Sequence, residues 1–196
     1  SDVCSSDLVE STVVESGVPD VLQRFVEEEM PETLSKDDLE FLQVAYDKAV
    51  EGLKRNLTPM GFSACSLDDN ETRGTDTNYR SVWARDGSIT LIGSLFLKDP
   101  EVRRAQYRTL TTLLDHVSPP GQIPANVSID TGEPDYSGVG GISSIDSGLW
   151  VIIAFYEYIQ VTEDLDLLRY YLPVLQRAMD WLSAQDSNND ALLEIP

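Results

Sequence analysis

The stretch NYRSVWARDG, Asn78 to Gly87, sets an aromatic, a cation and an anion side by side. Trp83 offers a flat face to C–H groups. Arg85 and Asp86 offer a charged donor and a charged acceptor to neighbouring hydroxyls. This is the mix of groups that a sugar ring engages. Tyr79 adds a second aromatic, although Tyr79 and Trp83 read equally as core packing beside a buried helix. A second stretch, GQIPANVSIDTGEPDYSGVGGISSIDSGLW, repeats the arrangement: a glycine-rich loop, then Asp146, then an apolar helix that carries Trp150. Gln122, Asn126, Asp135 and Tyr136 are further hydroxyl partners on that loop, of a type that more often steadies its own loop. On the residues alone, Asp146 reads first as an N-cap through Asp-Ser-Gly.

Helices must position these groups. Ser35 and Asp38 form a capping box, and Leu39, Leu42, Ala45, Tyr46, Ala49 and Leu53 follow at helical spacing. A short hairpin is expected around Gly61 to Ser66. The first motif leads into Ile89, Leu91, Ile92, Leu95 and Phe96, a short apolar helix. Asp99–Pro100 is an N-cap with Pro at the first helical position. The amphipathic helix it opens carries Val102, Tyr107, Leu110, Leu113, Leu114 and Val117 and ends at Pro119–Pro120–Gly121. From Gly121 to about Ile145 the pattern predicts a long loop, of the kind that usually has a function. SGLWVIIAFYEYI, apolar almost all round, predicts a helix buried on every side. Thr162 is the expected cap of the next segment, and Pro173 the expected start of an amphipathic helix with Val174, Leu175, Ala178, Met179, Trp181 and Leu182. Asp186, Asn188 and Asp190 predict a polar turn rather than a calcium loop, because Ala191 stands where such a loop needs Gly.

The order is therefore loop, buried helix, amphipathic helix, and then the same again. An α/α toroid is built this way, with loops at the N-termini of its inner helices converging on one pocket. Periodicity alone allows an unrelated helical bundle equally. Residues 1–34 are acidic and weakly periodic and are expected to be poorly ordered, with Val21, Leu22, Phe25 and Val26 as one short turn or docking strand. SDVCSSDL, at residues 1–8, resembles a translated sequencing adapter and is set aside from the fold.

Thirty-four acidic residues against 14 basic ones leave a formal charge of −20. No basic patch exists to displace counterions, so neither nucleic acid nor an anionic membrane surface is an expected partner. A neutral ligand is compatible, and the acidity by itself serves solubility. With two cysteines, Cys4 and Cys65, and one histidine, His116, the chain has no disulfide framework, no metal site and no Ser–His or Cys–His nucleophile to offer. No cofactor is expected. No apolar run is long enough to span a bilayer and no signal peptide is visible, which makes the cytoplasm the expected compartment. The sequence leaves the oligomeric state open.

WARDG, GQIPAN and IDSGLW, in that order, resemble the six-hairpin (α/α)6-barrel glycoside hydrolases, and most of all the bacterial amylo-α-1,6-glucosidase (glycogen-debranching-like) proteins and the alkaline/neutral invertases. The resemblance covers roughly residues 75 to 196. It implies an all-α fold, a partial (α/α)6 toroid over residues 35–196, and hydrolysis of glucosyl linkages in an oligosaccharide or glucan by two carboxylates. It assigns Asp146 as the general acid, with Ile145, Leu149 and Trp150 as an apolar setting that favours a protonated carboxyl. It assigns Arg85 and Asp86 as the clamp on the terminal sugar. Twelve average helices with their loops need roughly 300 residues, so the resemblance implies the N-terminal part of such a domain, with the second carboxylate in a later hairpin. Trp150–Val151, where the invertases carry two tryptophans, tilts the reading toward the debranching-like group. An invertase-like sucrose hydrolase and a non-catalytic carbohydrate-binding helical domain are the alternatives. A zinc-dependent or terpenoid cyclase on a similar toroid is disfavoured by the single histidine and the lack of an Asp-rich cation motif.

Overall fold

The computed structural model describes residues 35–65, 79–137, 144–190 and 192–194. The chain divides into two compact units, Ser1–Asp47 and Lys48–Pro196. Of the first, the described part is the opening of helix α1, Lys36–Lys54. The capping box forms as expected: Asp38 N–H donates to Ser35 Oγ at 3.1 Å, and Ser35 N–H donates to Asp38 Oδ2 at 3.1 Å. The apolar stripe behaves differently from its pattern. Leu39, Leu42 and Tyr46 are exposed, and no residue of α1 is buried. Tertiary packing reaches only its last turns, where half-buried Val50 and Leu53 lie against the core. The readings on residues 1–34 lie outside the described residues.

The second unit is helical, with two small sheets. Strands β1 (Leu57–Thr58) and β2 (Gly61–Phe62) form a hairpin that turns at Pro59–Met60, a few residues before the expected place. Strand β3 (Ser81–Trp83) runs straight into helix α2 (Ala84–Ser94), which starts earlier than its apolar pattern. Helix α3 spans Pro100–Asp115. Asp99 caps it as expected, its Oδ1 accepting from the N–H of Glu101 at 2.9 Å and of Val102 at 3.2 Å. Strands β4 (Asn126–Ser128) and β5 (Pro134–Asp135) follow, then helices α4 (Ile145–Thr162) and α5 (Leu165–Ser183).

The second half departs from the pattern in four places. The expected loop from Gly121 contains β4 and β5, because its backbone finds partners in β3: the sheet order is β3–β4–β5, antiparallel throughout. Helix α4 is buried on one side only, with Leu149, Ile153 and Tyr156 exposed along one stripe. The cap of α5 is Asp164, whose Oδ1 accepts from Leu167 N–H at 3.0 Å, while Thr162 is the last residue of α4. Pro173 lies inside α5 rather than starting it. Leu167 and Tyr171 are buried before it and Ala178 and Leu182 after it. They fall on one face, so packing carries the helix through a proline that sits on the exposed side.

Two α/α hairpins result, α2–α3 and α4–α5, with α2 packed most closely against α4. The architecture is all-α. Leu91, Leu110, Leu113, Val151 and Phe155 share one core. Polar ties hold it in register. Buried Gln106 donates from Nε2 to the Ser94 carbonyl at 2.8 Å, fastening α3 to the end of α2. Thr109 Oγ1 accepts from Phe62 N–H at 2.9 Å, and Thr112 Oγ1 donates to the Met60 carbonyl at 2.7 Å, so α3 also carries the β1–β2 hairpin.

Gly121, at φ +114°, opens the second motif against α5, where a Cβ would collide with the backbone carbonyl of Arg177 and with Trp181 Cβ. Gly132 also has positive φ, +74°, but no atom lies within 4 Å of its would-be Cβ. The two therefore separate backbone strain from collision. Gly132→Ala is expected to cost about 1 kcal/mol. Gly121→Ala is expected to cost roughly 3 kcal/mol or more. Urea denaturation of the two variants tests this, and equal midpoints would refute the collision.

Candidate active site

The two motifs meet through backbone pairing. Trp83 lies opposite Asn126, and Asn126 opposite Asp135, in one row across the sheet. Directly opposed residues share a face, so the three side chains stand together. The next row, Val82, Val127 and Pro134, faces the other way, and both valines are fully buried in the core. Where the pairing ends, Ala84 N–H still donates to the Ala125 carbonyl at 2.9 Å. The start of α2 is thereby tied to the second motif.

Arg85 is then the second residue of α2, and Asp146 the second residue of α4. Arg85 Nε meets Asp146 Oδ2 at 2.8 Å. The structure thus brings together a clamp residue and the expected acid from opposite ends of the resemblance. Asp86 does not pair with its neighbour. It lies exposed in the first turn of α2, without a side-chain partner among the described residues.

Asp146 is not the cap that Asp-Ser-Gly suggests. The N-cap position belongs to Ser144, and neither Ser144 nor Trp83, the corresponding residue of α2, lends its side chain to the helix end. Ser144 Oγ instead donates to Asp146 Oδ1 at 2.8 Å and lies 2.8 Å from Ser147 Oγ. Both oxygens of the carboxylate therefore have partners. Two helix N-termini also adjoin the group, and their dipoles favour negative charge. The apolar setting expected for Asp146 is not formed. Its side chain is 43% exposed and that of Arg85 is 55% exposed, while Leu149 projects to solvent.

The remaining candidates fall into two groups. Trp83 and Trp150 are half-buried and Tyr79 is exposed, so all three keep accessible ring surface. Gln122, Asn126, Asp135 and Tyr136 brace the second loop. Gln122 Nε2 donates to the Tyr136 carbonyl at 3.1 Å, and Asn126 Nδ2 donates to Asp135 Oδ2 at 3.3 Å. Asp135 Oδ1 accepts from Ser137 N–H and Oγ. The Tyr136 hydroxyl donates to the His116 carbonyl at 2.7 Å, and burial pushes its phenol pKa up, which keeps it a donor. The polar turn at residues 186–190 forms, with Asp190 N–H donating to Asp186 Oδ1 and Asn188 Oδ1. Glu194 accepts from Ser187 Oγ beside that turn.

Two features were overlooked in the sequence. Ser144 and Ser147 flank Asp146, and a hydroxyl two residues before a carboxylate at a helix start was the available signal. The other is a glycine two residues after each charged group. A Cβ on Gly87 would lie 2.9 Å from Thr109 Cγ2 of α3, and one on Gly148 would lie 3.4 Å from Leu182 Cδ2 of α5. Gly87 lets α2 settle closely on α3 just below the site, whereas at Gly148 a Cβ would make only an ordinary contact with Leu182.

A family model described as amylo-alpha-1,6-glucosidase matches residues 75–186, more than half of the chain. The chain belongs to that family. No curated protein and no solved structure matches it. The amylo-alpha-1,6-glucosidase match begins just before β3 and ends just after α5, so it takes in both motifs and both hairpins. It places the chain among glycosidase-type proteins of six-hairpin architecture. Among the described residues no cluster of His, Cys, Asp and Glu could hold a metal ion, and no helix is long and apolar enough to cross a membrane.

The sheet edge is latched by one more ion pair. Arg80, just before β3, donates from Nε and from an Nη to the two oxygens of Asp130 in the β4–β5 turn, both at 2.7 Å. The guanidinium holds the Asp130 carboxyl below the usual carboxylate range. A depressed carboxylate contributes stability that is complete above its unfolded pKa, about 3.8, and that is lost as pH falls through the lower folded value. The stability difference between wild type and Asp130→Asn is therefore expected to be flat from pH 5 to 7, to shrink below about pH 4, and to weaken with salt because the pair is exposed. Denaturation midpoints against pH in both proteins check it. A difference that grows toward low pH would contradict the latch.

Proposed function

We propose that this chain forms the acid-bearing wall of a glycosidase pocket that hydrolyses glucosyl linkages, α-1,6 branches of a glycogen-like glucan in particular. The observation that carries this reading is the Arg85–Asp146 pair at 2.8 Å, formed where both motif loops deliver their helices. Trp83 and Trp150 supply ring faces for the sugar, and Tyr79 an outer one. Arg85 and Asp86 take its hydroxyls.

The pair also implies an order of events. A general acid must face the leaving oxygen to protonate it, and in the free chain Arg85 occupies one oxygen of Asp146. A sugar hydroxyl that accepts from Arg85 takes the guanidinium away from that oxygen. The carboxyl, still held by Ser144, is then open to the glycosidic oxygen. Substrate binding and exposure of the acid become one step. The second carboxylate, which the resemblance places in a later hairpin of the family fold, activates a water or attacks the anomeric carbon itself.

Two measurements follow. In the protein that also carries the later hairpin with the second carboxylate, Asp146→Asn lowers glucose release from an α-1,6-branched oligosaccharide by roughly 10²–10⁴-fold. Binding of isomaltose, followed through tryptophan fluorescence, stays as tight as in wild type or becomes tighter, because Arg85 no longer has an ionic partner to leave. Arg85→Ala weakens the same binding by about tenfold. Normal turnover in the Asn variant would remove the acid assignment, and unchanged binding in the Ala variant would remove the clamp.

A further inference from the structure

A cleft of about 480 Å³ opens between α3 and the first turns of α5. It lies beyond the C-terminal end of α4, whereas Asp146 lies at the N-terminal end. At 1.5 Å per residue the helix separates the two by ~25 Å, so the cleft is not part of the site described above. Its volume falls in the range of roughly 300–1,000 Å³ typical of ligand pockets.

The lining has the parts of a sugar subsite. Tyr170 is 71% exposed, the most open tyrosine of the described chain. It is nonetheless held in place. Its ring stands perpendicular to that of Tyr171, with centroids 4.8 Å apart. Tyr171 is buried, meets Phe155 edge-on, and donates its hydroxyl to Asp115 Oδ1 at 2.6 Å. Burial and the adjacent carboxylate both push the Tyr171 phenol up, so it remains a donor. A rigid aromatic with open surface costs little entropy to use as a contact. Tyr107 adds a second partly exposed ring across the cleft. Arg108 has no side-chain partner among the described residues, and Asp115 has one oxygen left over.

Charge selects the class of ligand. Asp115, Asp164 and Asp166 against Arg108 leave the lining net negative, three to one. An anion such as a phosphate ester is disfavoured. A divalent ion is disfavoured too, since no group of the described residues is arranged to hold one. Asp166 is paired with Arg169 at 2.6 Å and Asp164 is engaged as the cap of α5, so two aromatic rings with both donor and acceptor groups suit a neutral, polyhydroxylated ligand. We propose that this cleft binds a glucosyl chain as a second anchor, remote from the bond that is cleaved. That the chain is built of glucose rests on the glycosidase reading above. The cleft itself rests on its own residues.

Calorimetric titration of the chain with maltoheptaose, which has no α-1,6 bond, tests the anchor. Wild type is expected to bind it, and Arg85→Ala, which removes the clamp at the other site, is expected to keep the part of the binding that depends on Tyr170. Tyr170→Ala should lose about tenfold in affinity, with Tyr107→Ala and Arg108→Ala weaker by smaller factors. All three side chains are exposed, and an unchanged thermal melt shows that the variants fold. The anchor is overturned if wild type binds no maltoheptaose, or if Tyr170→Ala binds it as wild type does. Loss in Arg85→Ala with full binding in Tyr170→Ala overturns the anchor and leaves the glycosidase pocket standing. Loss in Tyr170→Ala, with isomaltose binding untouched in Arg85→Ala, supports the anchor and counts against the pocket. Tyr170-dependent binding of oligolysine but not of maltoheptaose would show that the cleft reads cationic peptides, and the proposal would fall.

Discussion

Strand β3 passes into helix α2 without a single intervening residue, and much of the molecule follows from that junction. The backbone of β3 is held by β4, so the first turn of α2 has no freedom to slide along its axis. Where α2 starts determines where Arg85 projects. The same sheet row carries Trp83, so the aromatic and the cation are oriented by one set of hydrogen bonds. On the reverse face Val82 and Val127 are fully buried, which makes the register costly to change. A polar site is thus positioned by an apolar anchor on the other side of the same strands.

The helices complete the arrangement from below. Gly87 sits less than a turn beneath Arg85, tight against Thr109 of α3. The N-termini of α2 and α4 adjoin, and the ion pair forms between the second residues of both. Against a chain charge of −20, pairing Asp146 with Arg85 also removes one exposed carboxylate from an already crowded field. A neutral ligand neither gains nor loses from that field at long range. The groups left open around the pair are the accessible ring faces of Trp83 and Trp150 and the exposed carboxylate of Asp86.

Much of this was legible in the residues, and what was not has identifiable causes. Capping chemistry is local, so Ser35–Asp38 and Asp99–Pro100 could be read directly and both formed. Helix type followed from periodicity, and the family motifs pointed to Arg85 and Asp146, which the structure places in contact. The small sheet was missed because strands of two or three residues carry too little pattern to be seen, and their partners are distant in sequence. Pro173 misled because its local preference for a helix start was overruled by packing on the face it does not touch. Asp146 was mistaken for a possible cap because Ser144, two residues earlier, takes the cap position and then spends its hydroxyl on the carboxylate. The buried appearance of SGLWVIIAFYEYI came from composition, and composition does not say how many sides of a helix are covered.

The β3–β4 pairing has an evolutionary side. Side chains alternate across a strand, so the segment between Gly121 and Asn126 can exchange residues but not gain or lose one. A single inserted codon there would turn Asn126 toward the core and Val127 toward solvent, and would drag the carbonyl of Ala125 away from the start of α2. Variation in length among descendants of this chain should therefore avoid that segment, so that the sheet row carrying Trp83 and the start of α2 keep their place.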